Sequence, residues 1–447
     1  MSTLFGTDGI RGRAFSPPLD KDTVRRLGAV VAEVLGLRSG PPLLLAGDTR
    51  ASTETLARWF AGSFQAAGGR VTWGGVLPTP AVSQLLRGGG YGAGVVISAS
   101  HNPSCDNGIK VLEPTGEKLA DTSERQIEAR IATIGSTGDA ALPEVDRFLP
   151  ERYLELLVAS VGKGRPLAGL HLVVDAAHGA ASGLVEQLLE RLGARVTSIA
   201  SAPDGTNINA GCGATAPAQL AERVLAEQAH GGLALDGDAD RAILVDETGT
   251  VLDGDDILLA WARQLAADDR LPHRRVVATV MSNFGLERAL RRDGLDLRRC
   301  AVGDRWVWQA MRQHEAALGG EQSGHVICAH HGVSGDGLLT GSQLVAIAAR
   351  RGLPLSRLSD LERFPQVLLN VPVARKTPFE NLPAVHRELA DVEARLQGRG
   401  RVLLRYSGTE PLARVMIEGE DAAEIQVLAE QLAAAIRSEL GHDRERI

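Results

Sequence analysis

The chain has 447 residues, a length that predicts three or four domains of about 150 residues or fewer. Its net charge of −7 argues against a general nucleic-acid binder, and 44% hydrophobic with 23% charged residues is ordinary for a soluble globular protein. It has no apolar run of membrane-spanning length, and the start MSTLFGTDGIRGR lacks the apolar core of a secretory signal. Cys105, Cys212, Cys300 and Cys328 are too scattered for a disulfide scaffold or a zinc site. The expectation is a cytoplasmic protein that engages neither membrane nor nucleic acid. Five lysines stand against 43 arginines, so a lysine inside a motif draws attention.

From the N-terminus, FGTDGIRG sets Arg11 among glycines. Gly6 and Gly9 permit close backbone approach, and the guanidinium suits an anion; a loose arm is the alternative. Three stretches then repeat one pattern of strand, polar turn, amphipathic helix, glycine and strand. The first is LLLAGDTR, a helix with Leu56, Trp59, Phe60 and Phe64, then Gly68-Gly69 and RVTWGG. The second is LHLVVDAAHG, then Leu184, Val185, Leu188 and Leu192, then Gly193 and ARVTSIA. The third is VVATVMSN, then Leu286, Ala289 and Leu290, then Gly294 and LDLRRCAVG. Apolar residues three or four apart lay one face of each helix on a sheet, and a helical crossover implies parallel strands. The repeat predicts three domains of one architecture, although one large doubly wound sheet would show the same unit. Towards the C-terminus, QVLLNVPVARK, RVLLRYSGT and ARVMIEGED alternate like half-exposed strands, and Ile425, Leu428, Leu432, Ile436 and Leu440 mark a helix. That region predicts a separate α+β domain.

Four further motifs carry chemistry. In VVISASHNPSCDNGIK a buried-type strand runs into a turn that holds Ser100, His101, Asn102 and Pro103. A serine hydroxyl needs a base, a lowered pKa or a metal to act as a nucleophile, and Lys110 offers an amine base or a fixed positive charge. Polar groups that merely satisfy the loop are the alternative. In LALDGDADRAILVD, Asp236, Asp238 and Asp240 alternate, so an extended loop would project three carboxylates to one side, a hard-oxygen set for Mg²⁺ or Ca²⁺. An EF-hand fits poorly: Glu247 takes the twelfth position, but Arg241 takes the sixth, where the turn needs glycine. In GGEQSGH, Glu321 and Ser323 share one side of an extended loop and suit a pair of sugar hydroxyls, and His325 suits proton transfer. In RYSGTEPLAR, Arg405, Ser407, Gly408, Thr409 and Arg414 form a donor-rich loop for a phosphate dianion, without the spacing of a Walker loop. A polar hairpin is the alternative.

Together these features suggest phosphoryl transfer on a sugar phosphate. The order FGTDGIRG, ISASHNP with DNGIK, DGDADR, GEQSGH and RYSGTEPLAR resembles the α-D-phosphohexomutase family over the whole chain. Within it, PTPAV, PDGTNIN, GCGAT and VGDR point to the branch acting on glucosamine phosphates rather than to the phosphoglucomutase/phosphomannomutase branch of broad sugar specificity. The resemblance implies three related mixed-sheet α/β domains (1–148, 149–252 and 253–364) and a smaller α+β C-terminal domain (365–447) around a central cleft. It implies interconversion of glucosamine 6-phosphate and glucosamine 1-phosphate for UDP-N-acetylglucosamine synthesis, by a monomer or homodimer. Ser100 would carry the phosphoryl group. One Mg²⁺ would be held by Asp236, Asp238, Asp240 and the phosphoserine. A sugar 1,6-bisphosphate would be activator and intermediate. Arg11, His101, Lys110 and Arg241 would surround the transferring group, with Lys110 or His325 as proton carrier. Glu321 and Ser323 would hold sugar hydroxyls, and Arg405, Ser407, Gly408, Thr409 and Arg414 the phosphate that is not reacting. His178, the pair Ser104-Cys105 and Tyr406 depart from the family's pattern, and none is a proposed catalytic position.

Overall fold

Unbroken apolar runs such as LLLAG and AGVVI form strands buried on both faces, the signature of parallel strands under helices. The computed structural model describes residues 4–6, 8–135, 138, 140–407 and 410–441. Contacts divide the chain into two units: residues up to Met281 with Leu295–Asp360, and Ser282–Gly294 with the residues from Leu361 onward. No helix among the described residues is long and apolar enough to cross a membrane.

The first unit holds three sheets. The first comprises β1 (Ile10–Arg13), β2 (Leu43–Gly47), β3 (Val71–Val76), β4 (Ala93–Ile97) and β5 (Asp106–Leu112), in the order β1-β5-β4-β2-β3. The second comprises β6 (His171–Asp175), β7 (Arg195–Ile199), β8 (Gly231–Leu235), β9 (Ala242–Asp246) and β10 (Val251–Leu252), in the order β10-β9-β8-β6-β7. The third comprises β11 (Arg275–Thr279), β12 (Asp296–Cys300), β13 (Leu318–Gly320) and β14 (Val326–Cys328), in the order β12-β11-β13-β14. In every sheet a central strand (β2, β6 or β11) runs parallel to both neighbours, and the chain then folds back antiparallel. The three predicted strand–helix–strand units are therefore true structural repeats. The turns β4–β5, β8–β9 and β13–β14 occupy one equivalent place, and they contain Ser100, the three aspartates and Glu321.

The third repeat differs in one respect. Its helix, Phe284–Arg292, reads from sequence as part of the third α/β domain, yet its contacts group it with the C-terminal unit. Asn283 caps it by accepting from the Gly285 amide at 2.9 Å, accepts from the Phe364 amide at 2.9 Å and donates to Glu418 at 3.2 Å. A Cβ on Gly285 would lie 2.0 Å from the Glu362 carbonyl oxygen, so only glycine admits this close approach. Hydrophobic periodicity reports that a helix has a buried face; it does not name the surface that covers it.

The second unit also contains β15 (Gln366–Pro372), β16 (Gly400–Tyr406) and β17 (Leu412–Gly419), an antiparallel sheet in the order β15-β17-β16. Helices Pro383–Leu396 and Ala422–Leu440 cover it, and the predicted Ile425, Leu428, Leu432, Ile436 and Leu440 are all buried there.

In the first unit, the long buried helix Gly337–Arg350 begins at Asp336, whose carboxylate accepts from the Leu339 amide at 2.9 Å. The hydroxyl of buried Tyr153 lies 2.9 and 3.0 Å from its two oxygens. Burial pushes the Asp336 carboxyl up to about 6, with the Leu339 amide and Tyr153 hydroxyl opposing it. Its folded value thus lies above the unfolded one of about 3.9, so its contribution to stability falls as pH rises through about 6. Tyr153→Phe, which removes a donor from this buried carboxylate, is expected to cost about 1–3 kcal/mol at pH 7 and less at pH 5. Urea denaturation at the two pH values measures both.

Candidate active site

At the end of β4 the chain must reverse sharply to enter β5. Ser100 sits in this turn with φ +53°, a left-handed conformation that a non-glycine residue holds only under external restraint. The restraint is visible. Ser98 Oγ accepts from the Ser100 amide at 3.0 Å and donates to Asp48 at 2.6 Å, and Asp48 forms a wholly buried ion pair with Arg50. Ser100 is 1% exposed; its Oγ donates to Asp236 Oδ2 at 2.6 Å and lies 3.3 Å from His101 Nδ1.

Asp236, Asp238 and Asp240 converge in the β8–β9 turn, each buried, with one oxygen apiece within 4.8 Å of the others. The mechanism differs from the sequence expectation. The segment is not extended: Ala239 takes φ +58° and its amide donates to the Asp236 carbonyl at 3.0 Å, so a tight turn, not strand alternation, gathers the carboxylates. Thr79 Oγ1 and Lys110 Nζ donate to Asp238 Oδ2 at 2.6 and 2.8 Å. Asp238 Oδ1 and Asp240 Oδ1 are buried with no hydrogen-bond donor among the described residues. Orphaned anionic oxygens in a buried hard-oxygen cluster fit a divalent cation of the Mg²⁺ type. The charge balance agrees. Burial, Asp240 and Asp238 push the Asp236 carboxyl well above its ordinary range. For Asp240, burial acts upward, but His325, Lys110 and Arg241 outweigh it and hold the carboxyl low. Three such carboxylates do not all ionise comfortably without added positive charge.

Around the triad, charges alternate in a closed ring. Lys110 Nζ lies 3.0 Å from Asp8 and 3.7 Å from Asp240. His325 Nδ1 is 3.6 Å from Asp240, and its Nε2 is 3.9 Å from Asp304. Lys118 donates to Asp304 at 2.6 Å and pairs with Asp8, completing the circuit. Burial lowers the Lys110 pKa, but Asp238, Asp8 and Asp240 overcome it and drive it well above an ordinary lysine. Of the two roles the sequence left open, Lys110 is thus suited to be a fixed charge. His325 is pulled both ways: the Gly335 amide, 3.2 Å from Nε2, favours the neutral ring, while Asp240 and its hydrogen bond, with Asp304 and Glu321, outweigh burial and raise it to about 9. Burial, Arg241 and Arg11 push His101 down, leaving a neutral ring beside Ser100 Oγ.

Arg11 is anchored rather than loose. It lies in β1, paired with Asp8 and 3.3 Å from Asn102 Oδ1, and a Cβ on Gly9 would meet the Ile109 carbonyl oxygen at 2.6 Å. The Arg241 amide donates to Asp236 at 3.2 Å, and its guanidinium lies 3.8 Å from Asp240. Glu321 and Ser323 occupy a turn, not an extended loop: the Gly324 amide donates to the Glu321 carbonyl at 3.0 Å, and Gly324 takes φ +91°. Glu321 accepts from the Gly303 amide at 3.0 Å and from Ser323 Oγ at 3.2 Å. Arg11, His101, Arg241, Glu321 and His325 line one cavity of about 490 Å³, together with Asp8, Asp240, Gly303 and Asp304. Sequence reasoning overlooked Thr79, Asp8, Lys118 and Asp304. Lysine scarcity was the available signal for Lys118; the others lay inside quoted motifs without a role.

In the second unit, Arg405 on β16 faces Arg414 on β17 in register. Burial and the Arg414 charge push the Arg405 pKa down, and Arg414 Nη2 donates to Glu410 at 3.1 Å. Ser407 is buried, its amide donates to the Leu412 carbonyl at 2.8 Å, and Lys376 Nζ donates to the Ser407 carbonyl at 2.6 Å. Gly408 and Thr409 lie outside the described residues.

The comparisons with known proteins agree with this chemistry. The chain matches the phosphoglucomutase/phosphomannomutase family in alpha/beta/alpha domain I over residues 2–137, domain II over 151–249, domain III over 253–364 and the C-terminal domain over 368–435. It belongs to this family and is an isomerase, a phosphotransferase of the mutase type. It is 47% identical over 445 residues to the phosphoglucosamine mutase of Solidesulfovibrio magneticus, covering 97% of this chain and 98% of that one. It is 46% identical over 450 residues to the phosphoglucosamine mutase of Symbiobacterium thermophilum, covering 98% and 100%. A solved phosphoglucomutase/phosphomannomutase family protein from Burkholderia thailandensis superposes with TM-score 0.80 at 25% identity, covering 98% of each chain.

Thr79→Val deletes the hydroxyl that orients Asp238 and is expected to weaken Mg²⁺ affinity about 10-fold, read by Mg²⁺ titration calorimetry.

Proposed function

We propose that this chain interconverts glucosamine 6-phosphate and glucosamine 1-phosphate through a phosphoserine at Ser100 and a bound sugar 1,6-bisphosphate, supplying UDP-N-acetylglucosamine synthesis. The observation that carries the reading is Ser100 Oγ, 2.6 Å from Asp236 in a buried carboxylate triad with two oxygens lacking donors. The choice of an amino sugar rests on the relatives at 46–47% identity, which are phosphoglucosamine mutases.

Asp236, Asp238 and Asp240, with a phosphoserine oxygen, would hold one Mg²⁺. When bound, the ion supplies positive charge that stabilises the oxygens of the transferring phosphoryl group. The chain's own residues do the rest. Arg11 and Arg241 offer guanidinium donors to the equatorial oxygens, and Lys110 adds a fixed charge beside them. A free sugar hydroxyl attacks the phosphoserine phosphorus; its O–P bond forms as the Ser100 Oγ–P bond breaks. His325, in the cavity wall, is assigned the sugar hydroxyl's proton in the neutral form that the Gly335 amide on Nε2 favours, and returns it to the departing sugar oxygen in the second transfer. Neutral His101, beside Ser100 Oγ, suits taking the serine's proton when Ser100 attacks the bisphosphate, and that proton returns to Oγ when the serine next leaves phosphorus. The bisphosphate then turns over, and Ser100 recovers a phosphoryl group from the other position. Glu321 and Ser323 bind sugar hydroxyls. Arg405, Ser407, Gly408, Thr409 and Arg414 are assigned the phosphate that is not reacting. They must accept either orientation, so they recognise charge rather than a particular carbon.

Ser100→Ala is expected to abolish turnover with the fold intact, checked by coupled assay and circular dichroism; near-parental rates would refute the mechanism. Asp238→Asn is expected to raise the Mg²⁺ concentration for half-maximal rate by about 10-fold or more, and an unchanged titration would refute the metal assignment. Catalytic efficiency is expected to be higher for glucosamine phosphates than for glucose or mannose phosphates. A clear preference for mannose 1-phosphate would overturn the choice of substrate.

A further inference from the structure

Two carbonyl oxygens of the reactive turn, those of Ser100 and Asn102, share the same two donors. Arg50 Nη2 donates to them at 3.1 and 2.5 Å, and Asn209 Nδ2 at 2.9 and 3.1 Å. Each nitrogen carries two protons, so all four bonds can form together. The donors come from different sheets. Arg50 follows β2, in the sheet that carries Ser100, and is locked by its buried pair with Asp48. Asn209 follows β7, in the sheet that carries the aspartate turn.

Asn209 is itself fixed. It takes φ +58°, which asparagine tolerates better than most residues, and its amide donates to the Ala177 carbonyl at 2.9 Å. The aspartate turn presses on the same spot. A Cβ on Gly237 would lie 2.5 Å from the Ser100 carbonyl oxygen and 2.8 Å from Asn209 Nδ2. Ser100 holds a left-handed backbone only because these neighbours hold it there.

We propose that Asn209 is a positioning residue for phosphoryl transfer, whose side-chain amide ties the Ser100 backbone to the aspartate-bearing sheet and so sets Oγ against Asp236. The inference rests on the reading of Ser100 as the phosphoryl carrier. Arg50 secures the turn to its own sheet; Asn209 secures it to the other. A neutral amide does this without adding charge beside a phosphoserine. In-line transfer is sensitive to placement: an error of about 1 Å costs about 100-fold.

The test uses the full chain with Mg²⁺, glucosamine 6-phosphate and a trace of glucosamine 1,6-bisphosphate. Asn209→Ala removes the donor. Asn209→Asp keeps the shape but turns an oxygen towards two carbonyl oxygens. Expected is a fall in kcat of about 10–100-fold for alanine and a larger one for aspartate, with KM within about twofold of the parent. Phosphate on Ser100 should still appear in the intact mass of both variants. A kcat within about twofold of the parent in both variants would overturn the proposal, as would a loss carried entirely by KM. If the alanine variant does not fold, the isosteric aspartate variant decides alone. Ser100→Ala run in parallel separates the two ideas. Turnover there overturns the phosphoserine reading; an inactive Ser100→Ala beside fully active Asn209 variants overturns the positioning role alone.

Discussion

Three carboxylates forced together out of water are the condition around which the first unit is arranged. Asp236, Asp238 and Asp240 are brought together by a turn whose backbone bonds leave them no room to separate. Their repulsion is answered by Lys110 and Arg241, and by His325 when protonated, and these groups are balanced in turn by Asp8 and Asp304. The ring closes on itself, with Asp240 from the second sheet's turn, Lys110 from the first sheet and His325 from the loop entering β14. The side chains that face the triad come from all three sheets, so the three repeats meet at this point. Two carboxylate oxygens still lack a donor, which leaves a place for a cation.

The second unit uses the same logic with the sign reversed. Arg405 and Arg414 face each other across paired strands, held in register by the backbone ladder. Burial and the Arg414 charge lower the Arg405 pKa, while Arg414 itself lies 3.1 Å from the Glu410 carboxylate. In each case backbone geometry holds like charges in place before a ligand arrives, which lowers the reorganisation needed on binding.

The repeated topology explains why the reactive groups lie on turns of one kind. A strand parallel to its neighbour ends, and the chain returns antiparallel beside it. This forces a tight reversal beyond the same strand end in each sheet, where irregular backbone and polar side chains are tolerated. Ser100, Ala239 and Gly324 all take positive φ within these reversals. One topological feature, present in all three sheets, thus places three polar turns at equivalent positions.

Much of this was legible in the residues alone. Periodicity located the strand–helix–strand repeats and the C-terminal helix, because burial of one face leaves its mark on spacing. The residue types at Ser100, the aspartate triad and Glu321 marked candidate positions, and the fold places them on equivalent turns of the three sheets. The route by which the carboxylates meet was not legible: alternation suggested an extended segment, whereas left-handed Ala239 bends it. The packing of helix Phe284–Arg292 with the residues from Leu361 onward was not legible either, since an apolar stripe does not name its partner. Asp8, Thr79, Lys118, Asp304 and Asn209 acquire roles only when distant segments come together. Local sequence determines which groups are available; their charges, protonation and alignment depend on neighbours across space, and only the tertiary fold decides those.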